Sequence, residues 1–344
     1  MASTALVTGA TGYLGSELVK QLLQKGFNVH ATVRAPDNKQ AVQHLLKLAD
    51  ALPGNVKLFK ADLLQLNSFD DAVQGCQYVF HTASPFVIEV EDPQRDLLDP
   101  AVKGTSNVLK SVAKYKDAVR RTVVTSSVAA VLGNESAVPP KNGSLYTEDD
   151  WNDTSSIKNN EAYWLSKVSA EREAWKVAEV HGLDLVTVLP NFNLGPALSR
   201  QETKGLSVGF MKACLESDVI AGTPVVVDVR DVAKAHILAA TIPSAKGRYI
   251  ISQRKPITPK LVSDTLQARF PQFQIPNGEE AEAPDKIDNS KAAQELGLQV
   301  TPVEETLVDM AVTLIQLGIA KPRLKSVVCG QQFPSTSWPA RCTK

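Results

Sequence analysis

Tyr163 and Lys167 stand four residues apart in a segment, Glu161–Val180, patterned as a long helix closed by Gly182. That spacing sends both side chains from one helix face. A phenol beside an ammonium suits hydride chemistry on a carbonyl, where negative charge growing on oxygen must be hydrogen-bonded and then protonated. A free phenol titrates near pH 10, so Tyr163 needs a neighbouring cation to act as an acid/base at neutral pH, and Lys167 would supply it. The run Thr125-Ser126-Ser127 ends the preceding strand pattern. One of its hydroxyls would bond the substrate oxygen; Ser127 is preferred, and spacing alone leaves Ser126 open. The Tyr/Lys pair also arises by chance on amphipathic helices, so it gains meaning only beside a cofactor.

A second motif points to that cofactor. Gly9-x-x-Gly12-x-x-Gly15 lies between the β-branched run Thr4–Thr8 and a helical pattern over Gly12–Lys25. Glycines there permit a tight turn and a close backbone approach to a pyrophosphate, which the helix N-terminus then binds. The second strand ends Ala31-Thr32-Val33-Arg34. An acid at its end would bond the ribose hydroxyls of NAD; Arg34 instead offers a forked cation to a 2′-phosphate. Lys39 adds a second charge nearby. NADPH/NADP+ is therefore the expected cofactor.

These residues need a scaffold, and the sequence supplies one. Strand patterns at Asn28–Val33, Val56–Lys60, Tyr78–Thr82, Arg121–Ser126 and Asp184–Leu189 alternate with helical ones, including Arg95–Tyr115. The alternation predicts an α/β fold, a Rossmann-type doubly wound parallel sheet with right-handed crossovers. Beyond Pro190 the alternation weakens, then resumes over Val225–Ala240. Helical patterns follow at Pro259–Arg269, Ser290–Leu296 and Pro302–Leu317. This divides the chain into an NADP-binding domain over 1–190 and a smaller mixed α/β substrate-binding lobe over 191–320. Part of that lobe, about 225–252, crosses back to the sheet. The last stretch, 321–344, carries five basic residues and no acidic ones, and is expected to be a loose tail.

Composition excludes several classes. The 344 residues hold 37 basic and 37 acidic side chains, which leaves no positive excess for nucleic-acid binding. No apolar run reaches the ~18 residues of a membrane helix. A strand-like run begins at Thr4, which leaves no room for a signal peptide. The four cysteines, Cys76, Cys214, Cys329 and Cys342, show no metal-ligand spacing. A cytoplasmic protein with reduced thiols and no metal is expected, acting as a monomer or homodimer on a small molecule.

The chain resembles the extended short-chain dehydrogenase/reductases, in particular the group around dihydroflavonol 4-reductase and the fungal methylglyoxal and ketone reductases. The likeness covers about residues 4–320. It rests on Thr8-Gly9-Ala10-Thr11-Gly12-Tyr13-Leu14-Gly15, Ala31-Thr32-Val33-Arg34 and Lys60-Ala61-Asp62-Leu63. Further matches are His81-Thr82-Ala83-Ser84-Pro85, Thr125-Ser126-Ser127, Tyr163-x-x-x-Lys167 and Asp228-Val229-Arg230-Asp231-Val232-Ala233. The resemblance implies that Ser127 is the catalytic serine, and that Thr11, Tyr13 and Leu14 join the glycines in holding the cofactor. Asp62 and Leu63 would flank the adenine. Thr82, Ala83 and Ser84 would line the cofactor toward the nicotinamide ribose, and Pro190 would pack against the nicotinamide.

Two departures bear on substrate. Leu132 stands five residues past Ser127, where plant dihydroflavonol reductases usually carry Asn or Asp. The lead into the lysine motif reads Asn160-Glu161-Ala162-Tyr163-Trp164, unlike that of cinnamoyl-CoA reductases. The resemblance thus implies a general reductase of aryl or alkyl ketones and aldehydes. Expected pocket residues are Phe86, Val87, Leu132, Trp164, Phe192, Leu194, Phe210 and Met211, with some of them packing between lobes instead. Two other readings share these motifs: an NAD-dependent sugar-nucleotide epimerase or dehydratase, and a non-catalytic NADP-binding regulator.

Overall fold

A computed structural model of the chain describes residues 2–84, 91–133, 139–200, 205–220 and 222–325. The first half alternates as its periodicity predicts: β1 (Thr4–Thr8), α1 (Tyr13–Gln24), β2 (Asn28–Val33), α2 (Lys39–Ala51), β3 (Asn55–Lys60), α3 (Asp70–Val73) and β4 (Tyr78–His81). A π-helical turn at Gln94–Leu98 runs into α4 (Asp99–Ala113), followed by β5 (Arg121–Thr125), a 3₁₀ turn at Val128–Ala130, α5 (Ala162–His181) and β6 (Leu185–Pro190). Helix α2 has no counterpart in the sequence reading; its buried stripe is only Val42 and Leu45, too narrow to stand out.

The second half comprises β7 (Phe192–Leu194), α6 (Leu206–Glu216), β8 (Val226–Asp228), α7 (Val229–Thr241), β9 (Gly247–Ile251), α8 (Pro259–Arg269), α9 (Ser290–Leu296) and α10 (Val303–Gln316). A seven-stranded sheet forms in the order β3-β2-β1-β4-β5-β6-β9, and every pairing in it is parallel. This is the doubly wound α/β fold. Strands β7 and β8 pair in a separate two-stranded sheet.

Two cores explain the arrangement. One joins the sheet to α1 and α7 through Leu18, Leu22, Val186, Val232 and Tyr249. The other gathers β7, α6, α8 and α10 around Leu194, Met211, Leu266, Phe270 and Met310. Helix α9, read from sequence as part of the smaller lobe, packs Ala292 and Leu296 into the sheet core instead, because after α8 the chain returns to lie against β9 and α7, where Lys291 donates to the Arg248 carbonyl at 2.8 Å.

The Asp228–Ala233 motif is structural. Arg230 bonds Asp228 and Asp309, while Asp231 accepts from the N–H and hydroxyl of Thr301, tying α7 to the C-terminal segment. Among the described residues no helix is long and apolar enough to cross a membrane, and no cluster of metal-ligating side chains occurs.

Register places the site. Thr8 pairs with His81, Thr125 with Val188 and Pro190 with Ile251, so the carboxyl ends of the strands share one edge. The glycine loop, Arg34, Thr82–Ser84, Ser126–Ser127 and Asn191–Asn193 all leave the sheet there, at the edge where open α/β sheets bind ligands.

Candidate active site

The glycine loop turns at Gly9, whose φ of 65° is left-handed and favours a residue without Cβ. A Cβ there would lie 2.9 Å from the Ala83 Cα, and one on Gly15 would lie 2.2 Å from the Gly9 carbonyl oxygen. The Gly12 N–H donates to that oxygen at 2.9 Å, and Gly12 opens α1. No side chain caps the helix and no acid stands in its first turn, which suits an anion. Leu14 packs against the sheet core, and Thr11 is half-buried. The Tyr13 hydroxyl donates to the Gly195 carbonyl at 2.5 Å. Its hydroxyl thus ties the loop to the smaller lobe.

Arg34 lies exposed just past β2, and Lys39 is the exposed first residue of α2. Arg34 makes no ion pair within the described residues, which leaves its guanidinium available to a phosphate. Asp62 is exposed and accepts from the Leu64 N–H at 2.8 Å, while Leu63 packs close to Gly104. The ends of β1 and β4 are stitched together: Thr82 donates to the Thr8 carbonyl at 2.5 Å, and the Ala83 N–H donates to the Thr8 hydroxyl at 3.1 Å. Pro190 is buried at the end of β6. These residues fit a dinucleotide laid from the Arg34 end across the loop toward β4.

At the far end of that path, α5 presents Tyr163 and Lys167 from one face. The two serines diverge. Ser126 is buried and donates to Glu171 at 2.7 Å, whereas Ser127 lines a cavity of about 410 Å³ that Tyr163 also lines. The Lys167 Nζ lies 5.3 Å from the centre of the Tyr163 ring and donates to the Ser84 hydroxyl at 3.0 Å. Burial pushes the Tyr163 phenol up, with the Ser127 hydroxyl opposing that rise. Lys167 is buried and pushed down to about 8. Desolvation therefore outweighs the influence that lowers the Tyr163 pKa, and that influence comes from Ser127 rather than from the expected Lys167. Beneath them His81 bonds Thr8 at 2.8 Å. Burial, and then the Lys167 charge, push His81 down to about 4.

Residues 5–252 match the model of the NAD dependent epimerase/dehydratase family. The chain belongs to that family. It is 40% identical to a putative anthocyanidin reductase of Ginkgo biloba over 80% of its own length and 82% of the relative's. It is 37% identical to the cinnamoyl-CoA reductase CAD2 of Medicago truncatula over 91% and 96% of the two chains. Among solved structures it is similar to yeast methylglyoxal/isovaleraldehyde reductase complexed with NADPH, with a TM-score of 0.80 and 29% identity over 92% and 99% of the chains. It is an oxidoreductase of the extended short-chain dehydrogenase/reductase type, built for a nicotinamide cofactor.

Within this family member the cavity departs from the sequence reading in several places. Leu132, Trp164 and Phe192 line it. Leu194 and Met211 do not: both are fully buried in the core of the smaller lobe, because β7 turns Leu194, and α6 turns Met211, toward α10. Phe210 supports the wall from behind, edge-on to Phe192 at 5.7 Å. Phe86 and Val87 lie outside the described residues, as do Cys329, Cys342 and the chain from 326 onward.

The cavity also takes in residues absent from that reading, among them Asn193, Leu206, Thr223, Lys286 and Ile287. Asn193 stands three residues past the strand-ending Pro190, a placement that could have flagged it. Lys286 and Ile287 are delivered by a bridge between Tyr146 and Ile287, for which no local signal exists.

Proposed function

We propose that the protein is an NADPH-dependent carbonyl reductase, converting ketones or aldehydes to alcohols and running in reverse as an alcohol dehydrogenase. The observation that carries this reading is that Ser127 and Tyr163 line the wall of one cavity of about 410 Å³, with Lys167 on the same helix face and a loop shaped for a dinucleotide beside them.

Bound NADPH would supply the hydride. Gly9, Gly12, Gly15 and the α1 N-terminus would hold its pyrophosphate, and Arg34 its 2′-phosphate. Ser127 hydrogen-bonds the carbonyl oxygen and fixes it beside the phenol. Tyr163 donates its proton to that oxygen as negative charge develops, and its raised pKa keeps the proton in place until then. Lys167 keeps a positive charge near the phenolate that results and so favours proton release.

The wall is mostly apolar, from Val128, Leu132, Trp164, Phe192 and Ile287, which suits an aryl or alkyl group. Lys286 is the only charged side chain among the described residues lining it, so a carboxylate on the substrate is tolerated better than an ammonium. A single cation is a poor match for the diphosphate of a sugar nucleotide, which favours reduction over epimerisation.

NADPH consumption across aryl ketones, keto esters, α-dicarbonyls and flavanonols tests the proposal. At least one class should be reduced, faster with NADPH than with NADH. No consumption with any class, or tightly bound NAD with epimerisation of a sugar nucleotide, would overturn it.

A further inference from the structure

We propose that the buried Glu171–Arg248 pair positions the Ser127 turn against the helix bearing Tyr163 and Lys167. This inference rests on the reading of Ser127 and Tyr163 given above. Glu171 lies one helical turn beyond Lys167 on the same buried face of α5. Its side chain is fully buried and that of Arg248, on β9, is 7% exposed.

The bonding is saturated. One carboxylate oxygen of Glu171 accepts from Thr187 at 2.8 Å, from Arg248 Nε at 2.8 Å and from Trp175 at 3.4 Å. The other accepts from Ser126 at 2.7 Å and from Arg248 Nη2 at 3.2 Å. The remaining N–H groups of Arg248 reach the carbonyls of Glu148, Asp150 and Ala130 at 2.7, 2.6 and 3.3 Å. Its guanidinium lies 3.8 Å from the centre of the Trp151 ring.

What the pair grips explains its use. The turn carrying Ser127 is held on both sides: Ser126 is fixed to Glu171, and the Ala130 carbonyl to Arg248 and to the Asn152 N–H at 3.0 Å. The same carboxylate belongs to the helix carrying the phenol, so the Ser127–Tyr163 separation is set through one side chain. A buried ion pair contributes little net stability over apolar packing of equal volume; what it supplies here is bond directions that apolar packing lacks. Misplacement of a reacting group by about 1 Å costs up to roughly a hundredfold in rate, so such directions matter for turnover.

Two substitutions separate positioning from plain structural support. Ser126→Ala and Thr187→Val each remove one buried hydroxyl donated to Glu171, but only Ser126 adjoins Ser127. Ser126→Ala should lower kcat about tenfold or more with the NADPH Kd within about twofold of the parent, and Ser126→Thr should restore much of the loss. Thr187→Val should leave kcat within about twofold despite a similar fall in Tm.

The pH profile of alcohol oxidation should move to higher pH for Ser126→Ala alone, because Ser127, no longer held in place through Ser126, opposes the rise of the Tyr163 pKa less. Equal kcat losses for both variants, or none for either, would overturn the inference. A parent protein that binds NADPH yet reduces no carbonyl would overturn the proposed reaction instead, which separates the two failures. Glu171→Gln adds a third reading: a folded variant should show the kcat loss of Ser126→Ala, and unchanged kcat would contradict the inference.

Discussion

The two halves of the crevice are built differently. The cofactor half is local: Gly9 to Gly15 bring turn, cradle and helix start within a single strand–helix passage, and Gly12 caps what Gly9 turns. The substrate half is assembled from distant segments, with Ser127, Tyr163, Phe192, Leu206, Thr223 and Lys286 meeting only because the smaller lobe folds back over the sheet edge. A local device fails through backbone sterics at one residue, whereas an assembled one fails through packing or register far from the chemistry.

The largest effect should fall on the local half. Gly15→Ala places a Cβ 2.2 Å from the Gly9 carbonyl oxygen, so the turn must open: NADPH binding should weaken by about a hundredfold or more, and Tm should fall with it. Equilibrium fluorescence titration checks this, and unchanged affinity would show that the loop is not the cradle. In the assembled half, Leu194→Ala empties a fully buried site and should cost about 2–5 kcal/mol of stability by urea unfolding, lowering activity only through loss of folded protein.

Acid should strike both halves. His81 ties β4 to β1 and His236 bonds Thr125 at 2.7 Å, and burial pushes both down to about 4. Each is neutral in the folded chain, so an unfolded chain with a histidine pKa of 6.5 binds more protons below that pH. Stability is therefore full above about pH 6.5 and declines toward about pH 4, by about 3 kcal/mol per histidine. Lys167→Met should raise the His81 pKa and leave that of His236 in place, by NMR titration, since only His81 feels the Lys167 charge.

Smaller effects complete the contrast. Arg34→Glu should reduce the preference for NADPH over NADH by about tenfold to a hundredfold, and equal effects on both KM values would contradict the phosphate assignment. Leu132→Ala should raise the carbonyl KM about tenfold or less with NADPH affinity unchanged, the smallest shift of the set.

Legibility followed the same division. The parallel sheet, the glycine loop and the Tyr163/Lys167 face are periodic or contiguous, so the residues themselves display them. Leu194 and Met211 are apolar and close in sequence to true wall residues, and only the direction each side chain takes from β7 or α6 separates core from cavity. Lys286 is silent in sequence because it reaches the wall through the Tyr146–Ile287 bridge. The Tyr163 pKa was beyond reach for a related reason: the expected influence of Lys167 was plain, but the opposing desolvation depends on how deeply α5 is covered.

The most direct test of the central claim is single-turnover reduction of an aryl ketone by NADPH-loaded protein, comparing the parent with Tyr163→Phe. The account predicts that Tyr163→Phe binds NADPH within about threefold of the parent and slows the chemical step by about a hundredfold or more. A Tyr163→Phe rate within a few-fold of the parent's would contradict it, since the proton would then come from a group other than the phenol.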